Sequence, residues 1–284
     1  MDLYNETKFL MNKYNIQANK SLGQNFLIDE NVINTAIEKS NINKEDLVIE
    51  IGPGLGTLTK YLLESAGRVV CVELDKRMIN ILNERFFLYE NFEVINADIL
   101  KTDLNKIIKE AKEKYNLKNA KIVANLPYYI TTPIIMQLLE NKIDIECITV
   151  MIQKEVADRL AEIPGGKNTG AITYTVYYYG IAEKLLEVPN TSFIPEPSVT
   201  SEVIKINIRK EPAVKVNNEE GFFKLIKISF LQRRKTLLNA LSNNGISSKE
   251  ELTKMLKELE IDEKIRSEKL TIEEFANISN YLYK

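Results

Sequence analysis

The sequence predicts an α/β domain built on a parallel sheet, followed by a small all-α C-terminal region. Three observations carry that expectation. Short β-branched runs alternate with segments of helical periodicity up to about residue 160, the pattern of strand–helix–strand units. The first of these runs ends in a glycine-rich turn. Strand-like alternation stops after Arg209, and only helical stripes follow.

Leu47-Val48-Ile49-Glu50-Ile51 reads as the first strand, Gly52-Pro53-Gly54-Leu55-Gly56 as the turn, and Leu58, Tyr61, Leu62 and Leu63 as the stripe of the next helix. Glycines there let backbone amides approach a ligand that a side chain would hold away. Their spacing is G-x-G-x-G with a proline inside it, not the G-x-G-x-x-G of dinucleotide binders. That favours S-adenosylmethionine over a nicotinamide cofactor. The second strand, Arg68 to Glu73, ends in an acid about 20 residues after the turn, where a carboxylate accepts both ribose hydroxyls. Phe92 to Asn96 is a third strand, closing in Ala97-Asp98-Ile99-Leu100. Asp98 can accept a hydrogen bond from an adenine amino group, with Ile99 alongside the ring.

A fourth apolar run, Lys121 to Ala124, delivers Asn125-Leu126-Pro127-Tyr128-Tyr129-Ile130. The carboxyl end of a strand is a ligand position in an open α/β sheet. This stretch offers an amide, a backbone carbonyl, a rigid turn and an aromatic ring, a set suited to a flat amino-bearing heterocycle. Plain turns also use Asn and Pro. Ile145 to Ile152 is a fifth strand, running into a helix at 153–160 that closes at Pro164-Gly165-Gly166.

Upstream, Lys20 to Leu27 is a polar, glycine-containing loop, and Asp29-Glu30-Asn31 leads a helix through Val32, Ile33, Ala36 and Ile37. Gln24 and Asn25 beside Phe26 read either as the approach to that helix or as part of a ligand rim. Ala171 to Tyr179 has the Thr, Val and Tyr content of a strand, while its position before Gly180 allows a helix. Two prolines stiffen Thr191 to Pro197, able to hold Phe193 in place. Ser201 to Arg209 alternates as a closing strand, and Glu211-Pro212 marks a boundary, giving domains 1–210 and 211–284. Beyond it Phe222, Leu225, Ile226 and Phe230 make one apolar stripe, with shorter helices near 235–242, 248–259 and 271–282.

Composition narrows the chemistry. The net charge of −2 is no nucleic-acid signature for the whole chain. Locally, Lys224, Lys227, Arg233, Arg234 and Lys235 lie between Gly221 and Ala240 with no acid among them. Such a segment is either a solvated helix face or a phosphate-binding one. The chain has no histidine, which excludes histidine metal sites and Ser-His or Cys-His nucleophile pairs. Cys71 and Cys147 sit in apolar runs, as buried thiols in a reducing cytosol do; no metal is expected. No run approaches the ~18 apolar residues of a membrane span, so the expected location is cytoplasmic.

With a methyl donor bound, the protein must supply a held and aligned nucleophile. Hydrogen bonds accepted from an adenine N6 by the Asn125 side-chain oxygen and the Leu126 carbonyl favour a more pyramidal, more nucleophilic nitrogen. No strong base is needed before attack. Tyr128 would stack on the base and Phe193 cover its other face, base-on-aromatic stacking contributing roughly 1–3 kcal/mol.

Together Ser21-Leu22-Gly23-Gln24-Asn25-Phe26-Leu27, Glu50 to Gly56, Glu73-Leu74-Asp75, Asn125 to Tyr129 and Gln232 to Leu237 resemble the KsgA-type small-subunit (16S) rRNA adenine N6,N6-dimethyltransferases. The resemblance implies a Rossmann-like S-adenosylmethionine-dependent methyltransferase domain with a small all-α C-terminal domain. It implies dimethylation of two adjacent adenines near the 3′ end of small-subunit rRNA, by a monomer acting on a pre-ribosomal 30S particle away from membranes. By the same resemblance Asn25, Leu27, Gly52, Glu73, Asp98 and Asn125 line the cofactor site, beside Gly54 and Ile99, and Ala171 to Tyr179 is helical against its propensity. With an RNA-modifying domain ahead of it, the segment from Lys224 to Lys235 reads as a phosphate contact. One departure is Val199-Thr200-Ser201 where the family usually has Val-Asp-Ser, which leaves open any ion pair or cap made by that acid. Competing readings are a resistance-type methyltransferase of a large-subunit rRNA adenine, a non-catalytic ribosome-assembly or RNA-binding factor and, more remotely, a dehydrogenase. The helix expected around Arg233 to Thr236 and the Leu126 variant favour the small-subunit enzyme, and intact Gly52, Glu73, Asp98 and Asn125 argue against a non-catalytic factor.

Overall fold

The structure, a computed structural model, describes residues 2–19, 23–232 and 234–283. Lys20, Ser21, Leu22 and Arg233 of the motifs above lie outside the described residues.

In chain order the strands are β1 (Phe26–Leu27), β2 (Asp46–Ile51), β3 (Arg68–Glu73), β4 (Phe92–Asn96), β5 (Asn119–Asn125), β6 (Cys147–Gln153), β7 (Gly180–Val188), β8 (Phe193–Ile194) and β9 (Ser201–Ile208). The larger sheet has the order β4-β3-β2-β5-β6-β9-β7. Strands β2 to β6 pair parallel, and β9 runs antiparallel to β6. From β2 the chain steps outward to β3 and β4, then returns to β5 on the other side of β2. Their carboxyl ends therefore flank a crevice, the ligand position in sheets of this kind.

The inner parallel strands β2, β3, β5 and β6 are legible as apolar runs because both their faces are covered, whereas the edge strand β4 is half-buried. On one face Val48, Val69, Cys71, Val123 and Met151 join a core with Val32, Ile33, Leu58 and Leu62 of the helices Glu30–Lys39 and Thr57–Ser65. Their alternates Leu47, Ile49, Val70, Val72 and Ile122 are no more than 2% exposed, and the helix Leu104–Tyr115 packs against β2 and β5. Register between β2 and β5 is further held by a buried ion pair, Lys121 Nζ to Asp46 Oδ2 at 2.7 Å. Lys121 also donates to the Asn41 carbonyl, and Asn119 donates to Asp46 Oδ1. A buried charge pair with its remaining hydrogen-bonding capacity met in this way fixes one alignment, since a slip would strand both charges.

Contacts divide the chain into two compact units, Met1–Ala157 with Glu183–Ile208, and Asp158–Ala182 with Arg209–Lys284. The segment 158–182, read from sequence as part of the first domain, falls in the second unit. That unit is helical: Ala171–Tyr179, Glu219–Ser229, Leu237–Asn243, Lys249–Glu258 and Ile272–Leu282. Reciprocal capping boxes start the last two, Ser248 with Glu251 and Thr271 with Glu274. Ala171–Tyr179 is helical despite its strand-like composition because tertiary burial overrides propensity. Tyr174 is fully buried, its ring edge-on to Phe275 at 4.7 Å and its hydroxyl donating to the Leu270 carbonyl at 2.6 Å. Among the described residues no helix is long and apolar enough to cross a membrane.

Candidate active site

One cleft opens over the carboxyl ends of β2 and β5, with about 1040 Å³ of space including its open mouth. Asn25, Leu27, Gly52, Gly54, Glu73, Asp98, Ile99, Asn125, Leu126, Pro127 and Tyr128 all line it. Residues from five separate stretches of sequence thus meet around one space.

The glycine turn divides its work. A Cβ added at Gly52, where φ is +66°, would meet nothing within 4 Å; this glycine borders open cleft that a side chain would fill. At Gly56 a Cβ would stand 2.6 Å from the Phe86 ring and 2.8 Å from Leu82. That glycine serves the seating of helix Thr57–Ser65 on helix Lys76–Phe86, not the ligand. Gly54 spends its amide on the protein, donating to Glu73 Oε2 at 3.2 Å.

Glu73, at the end of β3, is 7% exposed. Its other oxygen, Oε1, accepts from the Asp75 amide at 2.8 Å. Burial pushes its carboxyl pKa up, and the amides of Asp75, Gly54 and Leu74 oppose that by stabilising the anion. Each carboxylate oxygen retains a second lone pair, so two ligand hydroxyls can still be accepted. Asp98, which lines the cleft, caps the turn Ile99–Lys101 through Oδ1, which accepts from Leu100 N at 3.0 Å, while Oδ2 lies 3.9 Å from the exposed Lys101 ammonium. These features fit a nucleoside: a carboxylate for the diol, a second acid for an amino group and Ile99 for the ring.

At the end of β5, Asn125 donates through Nδ2 to the Asn25 carbonyl at 2.9 Å. Its Oδ1 is thereby directed away from that partner and remains an acceptor. Leu126 N donates to the Met151 carbonyl of β6 at 3.1 Å, so the Leu126 carbonyl is held one residue beyond the ladder. Pro127 O accepts from Ile130 N and Thr131 Oγ1, closing the turn. The Tyr128 hydroxyl lies 2.5 Å from Ser201 Oγ at the start of β9.

Sequence reasoning missed what brings Asn25 here. The two-residue strands β1 and β8 pair antiparallel, Phe26 opposite Ile194 and Leu27 opposite Phe193. Behind them Leu10 and Ile16 of the N-terminal segment pack with Phe26 and Leu55, and Glu6 Oε1 holds Arg85 Nη2 at 2.5 Å while Arg85 also donates to the Leu55 carbonyl. No periodicity can reveal a two-residue strand; the amide pair Gln24 and Asn25 was the available signal. Gly23 and Tyr129 at the rim of the cleft, and Ser201 behind Tyr128, were also overlooked as site residues.

Two expectations are corrected. Phe193 does not cover a base: it is 1% exposed, inside the core with Leu27 and Val203, and its ladder partnership with Leu27 turns it inward. Arg234 and Lys235 are exposed but lie in the turn between helices Glu219–Ser229 and Leu237–Asn243, whose N-cap Thr236 accepts from Asn239 N. They are not on a helix. Arg233 is outside the described residues. Lys224 and Lys227 are exposed on helix Glu219–Ser229, three residues apart on one face. Thr200, where the resemblance has an acid, offers its backbone carbonyl to the Lys154 amide at 3.0 Å.

The chain matches the sequence profile of the ribosomal RNA adenine dimethylase family over residues 15–284. It is 48% identical over 280 residues to the ribosomal RNA small subunit methyltransferase A of Alkaliphilus oremlandii (strain OhILAs), spanning 98% of this chain and 96% of that protein. The protein of the same name from Clostridioides difficile (strain 630) is also 48% identical, over 279 residues, with the same coverage. Among solved structures, a dimethyladenosine transferase from Plasmodium falciparum superposes with a TM-score of 0.73 at 28% identity, over 89% of this chain and 95% of that one. The 23S rRNA methyltransferase ErmE has a TM-score of 0.69 at 23% identity, over 92% and 100% of the two chains; that likeness concerns the fold alone.

Proposed function

The chain belongs to the ribosomal RNA adenine dimethylase family, and from that membership we propose that it dimethylates the N6 of two adjacent adenines near the 3′ end of small-subunit rRNA, with S-adenosylmethionine as methyl donor. It is an rRNA adenine dimethyltransferase. The observation that carries the mechanism is the Asn125 amide, whose NH2 is engaged by the Asn25 carbonyl, so that its oxygen faces a substrate as an acceptor only.

S-adenosylmethionine, when bound, supplies an electrophilic methyl group on a sulfonium. Gly52 leaves room for it, Glu73 accepts from its ribose, Asp98 from its adenine amino group, and Ile99, Leu27 and Asn25 border it. The target adenine must be unpaired or flipped from its stack to enter the cleft. Asn125 Oδ1 and the Leu126 carbonyl accept from its N6, aligning the lone pair and drawing it out of the ring. Pro127 keeps these two acceptors at a fixed separation, and Tyr128 stacks on the base. The proton that methylation leaves on N6 is acidic enough to pass to water at the open mouth, consistent with a site that has no histidine.

The RNA is engaged, in this reading, by Lys224, Lys227, Arg233, Arg234 and Lys235, and the enzyme works in the cytoplasm as a monomer on an immature 30S particle. A large-subunit target is disfavoured: the likeness to ErmE is one of fold, whereas the relatives at 48% identity carry the small-subunit name. The test is incubation with labelled S-adenosylmethionine and under-methylated small subunits, with large subunits as control, followed by mapping of the label. Label is expected on N6 of the paired adenines and absent with Asn125→Ala, which still binds the particle. Label in large subunits, or an active Asn125→Ala, would overturn the assignment.

A further inference from the structure

Tyr129 takes no part in the mechanism above, yet it lines the rim of the cleft and is 59% exposed. A lone exposed aromatic on a surface needs no explanation; this one is held in place. Its chain neighbour Tyr128 is tied to Ser201, and the turn that carries both is closed on the Pro127 carbonyl by Ile130 N at 3.2 Å and Thr131 Oγ1 at 3.1 Å. From the other side the loop before β1 comes up against the ring. A Cβ at Gly23, where φ is +59°, would stand 3.2 Å from Tyr129 Cδ1 and 3.5 Å from Cε1. The absent side chain lets backbone brace the ring while the rest of it stays open to solvent.

We infer that Tyr129 is a stacking subsite for the nucleobase next to the target adenine in the same RNA strand. The inference rests on the proposed function. When one adenine turns into the cleft, its neighbour loses a stacking partner and is brought to the mouth by the backbone between them. A rigid, neutral aromatic face at that mouth restores the lost stacking without reading hydrogen-bond donors or acceptors. Because the proposed substrate is a pair of adjacent adenines, the occupant of the subsite is the second adenine while the first reacts, and the first, already methylated, while the second does. N6-methylation leaves the π face in place, so one platform serves both halves of the reaction.

The experiment compares Tyr129→Ala, Tyr129→Leu and Tyr129→Phe with the natural enzyme on under-methylated small subunits, measuring kcat, KM and the ratio of singly to doubly modified sites, with S-adenosylmethionine affinity measured separately by calorimetry. Loss of one base-on-aromatic contact predicts a rise in KM for the subunit of roughly 5- to 150-fold in the Ala and Leu variants, a larger effect than on kcat, and recovery in Tyr129→Phe. Doubly modified sites should become rarer. Unchanged KM in Tyr129→Ala overturns the inference, as does a Phe variant as impaired as Ala, or a loss confined to S-adenosylmethionine affinity. If the natural enzyme itself fails to methylate small subunits, the proposed function falls, and that outcome is distinct from any of these.

Discussion

Asn125 Nδ2 lies 2.9 Å from the backbone carbonyl oxygen of Asn25, one hundred positions earlier in the chain. The amide at the end of β5 is therefore oriented by the loop that precedes β1. Asn125→Asp keeps the shape and the acceptor but sets a carboxylate oxygen against a carbonyl. We expect kcat to fall about 100- to 1000-fold, the scale of losing one preorganised polar group, and amide exchange across residues 23–27 to quicken. Asn125→Ala should lose as much activity with less disturbance of the loop. Wild-type turnover in Asn125→Asp would show that donation to Asn25 is dispensable.

Tyr128 and Ser201 form a second such pair. Ser201 is fully buried at the start of β9, and its hydroxyl fixes the far end of the Tyr128 ring. Tyr128→Phe keeps the stacking face and loses only this anchor; Ser201→Ala does the same from the other side. Each should weaken transition-state stabilisation by about 1 kcal/mol, the usual net value of one such bond, roughly a fivefold fall in kcat/KM. The double variant should be no worse than either single one, since both remove one interaction. Additive losses would mean that Ser201 acts on something other than Tyr128.

Glu50 sits fully buried in β2, accepting from Thr59 Oγ1 at 2.7 Å and from the Cys71 thiol. Burial pushes its pKa up from 4.5 to about 7, with a smaller upward push from the charge of Glu73, while the two hydrogen bonds pull the other way. The folded protein thus holds this proton more tightly than the unfolded chain. Its contribution to stability is complete below about pH 4.5 and is lost as the pH rises through about 7. Burial of the charge corresponds to about 3 kcal/mol at most. In Glu50→Gln the Thr59 bond can persist and the titration vanishes. Denaturant unfolding between pH 5 and pH 8 should show the natural protein losing stability relative to the variant as pH rises; a difference independent of pH would refute the assignment.

How far the sequence could be read follows from what each feature leaves in it. Strands β2, β3, β5 and β6 are buried on both faces, so they appear as largely apolar Val, Ile and Leu runs, while the edge strand β4 is only half-buried; Glu73, Asp98 and Asn125 follow from lying at or just past strand ends. The glycine turn was visible as a turn, but only packing shows that Gly56 answers to Phe86 and Gly52 to the cleft. Strands β1 and β8 span two residues each, too few for any period. The inward turn of Phe193 is decided by that pairing and was therefore hidden. Ala171–Tyr179 was ambiguous by composition and helical by the resemblance, and the helix is what forms, because its Tyr and Val side chains are there to be buried in a helical unit. The Arg234-Lys235 turn was absorbed into a helical pattern because Leu237, Leu238 and Leu241 continue the apolar spacing across it.

Those basic residues allow a last prediction. Lys224, Lys227, Arg234 and Lys235 are exposed, and for all four no ion pair with an acid is found among the described residues. If each meets a phosphate, each releases bound counterions, steepening the fall of affinity with salt by roughly 0.7 to 0.9 in log–log slope. Replacing all four by Ala should therefore weaken binding to the small subunit most at low salt and flatten the slope by about 3. Because the residues lie in the helical unit and outside the cleft, S-adenosylmethionine affinity should hold. A uniform loss of affinity at every salt concentration would point instead to a structural role, and unchanged binding would return the segment to ordinary solvated surface.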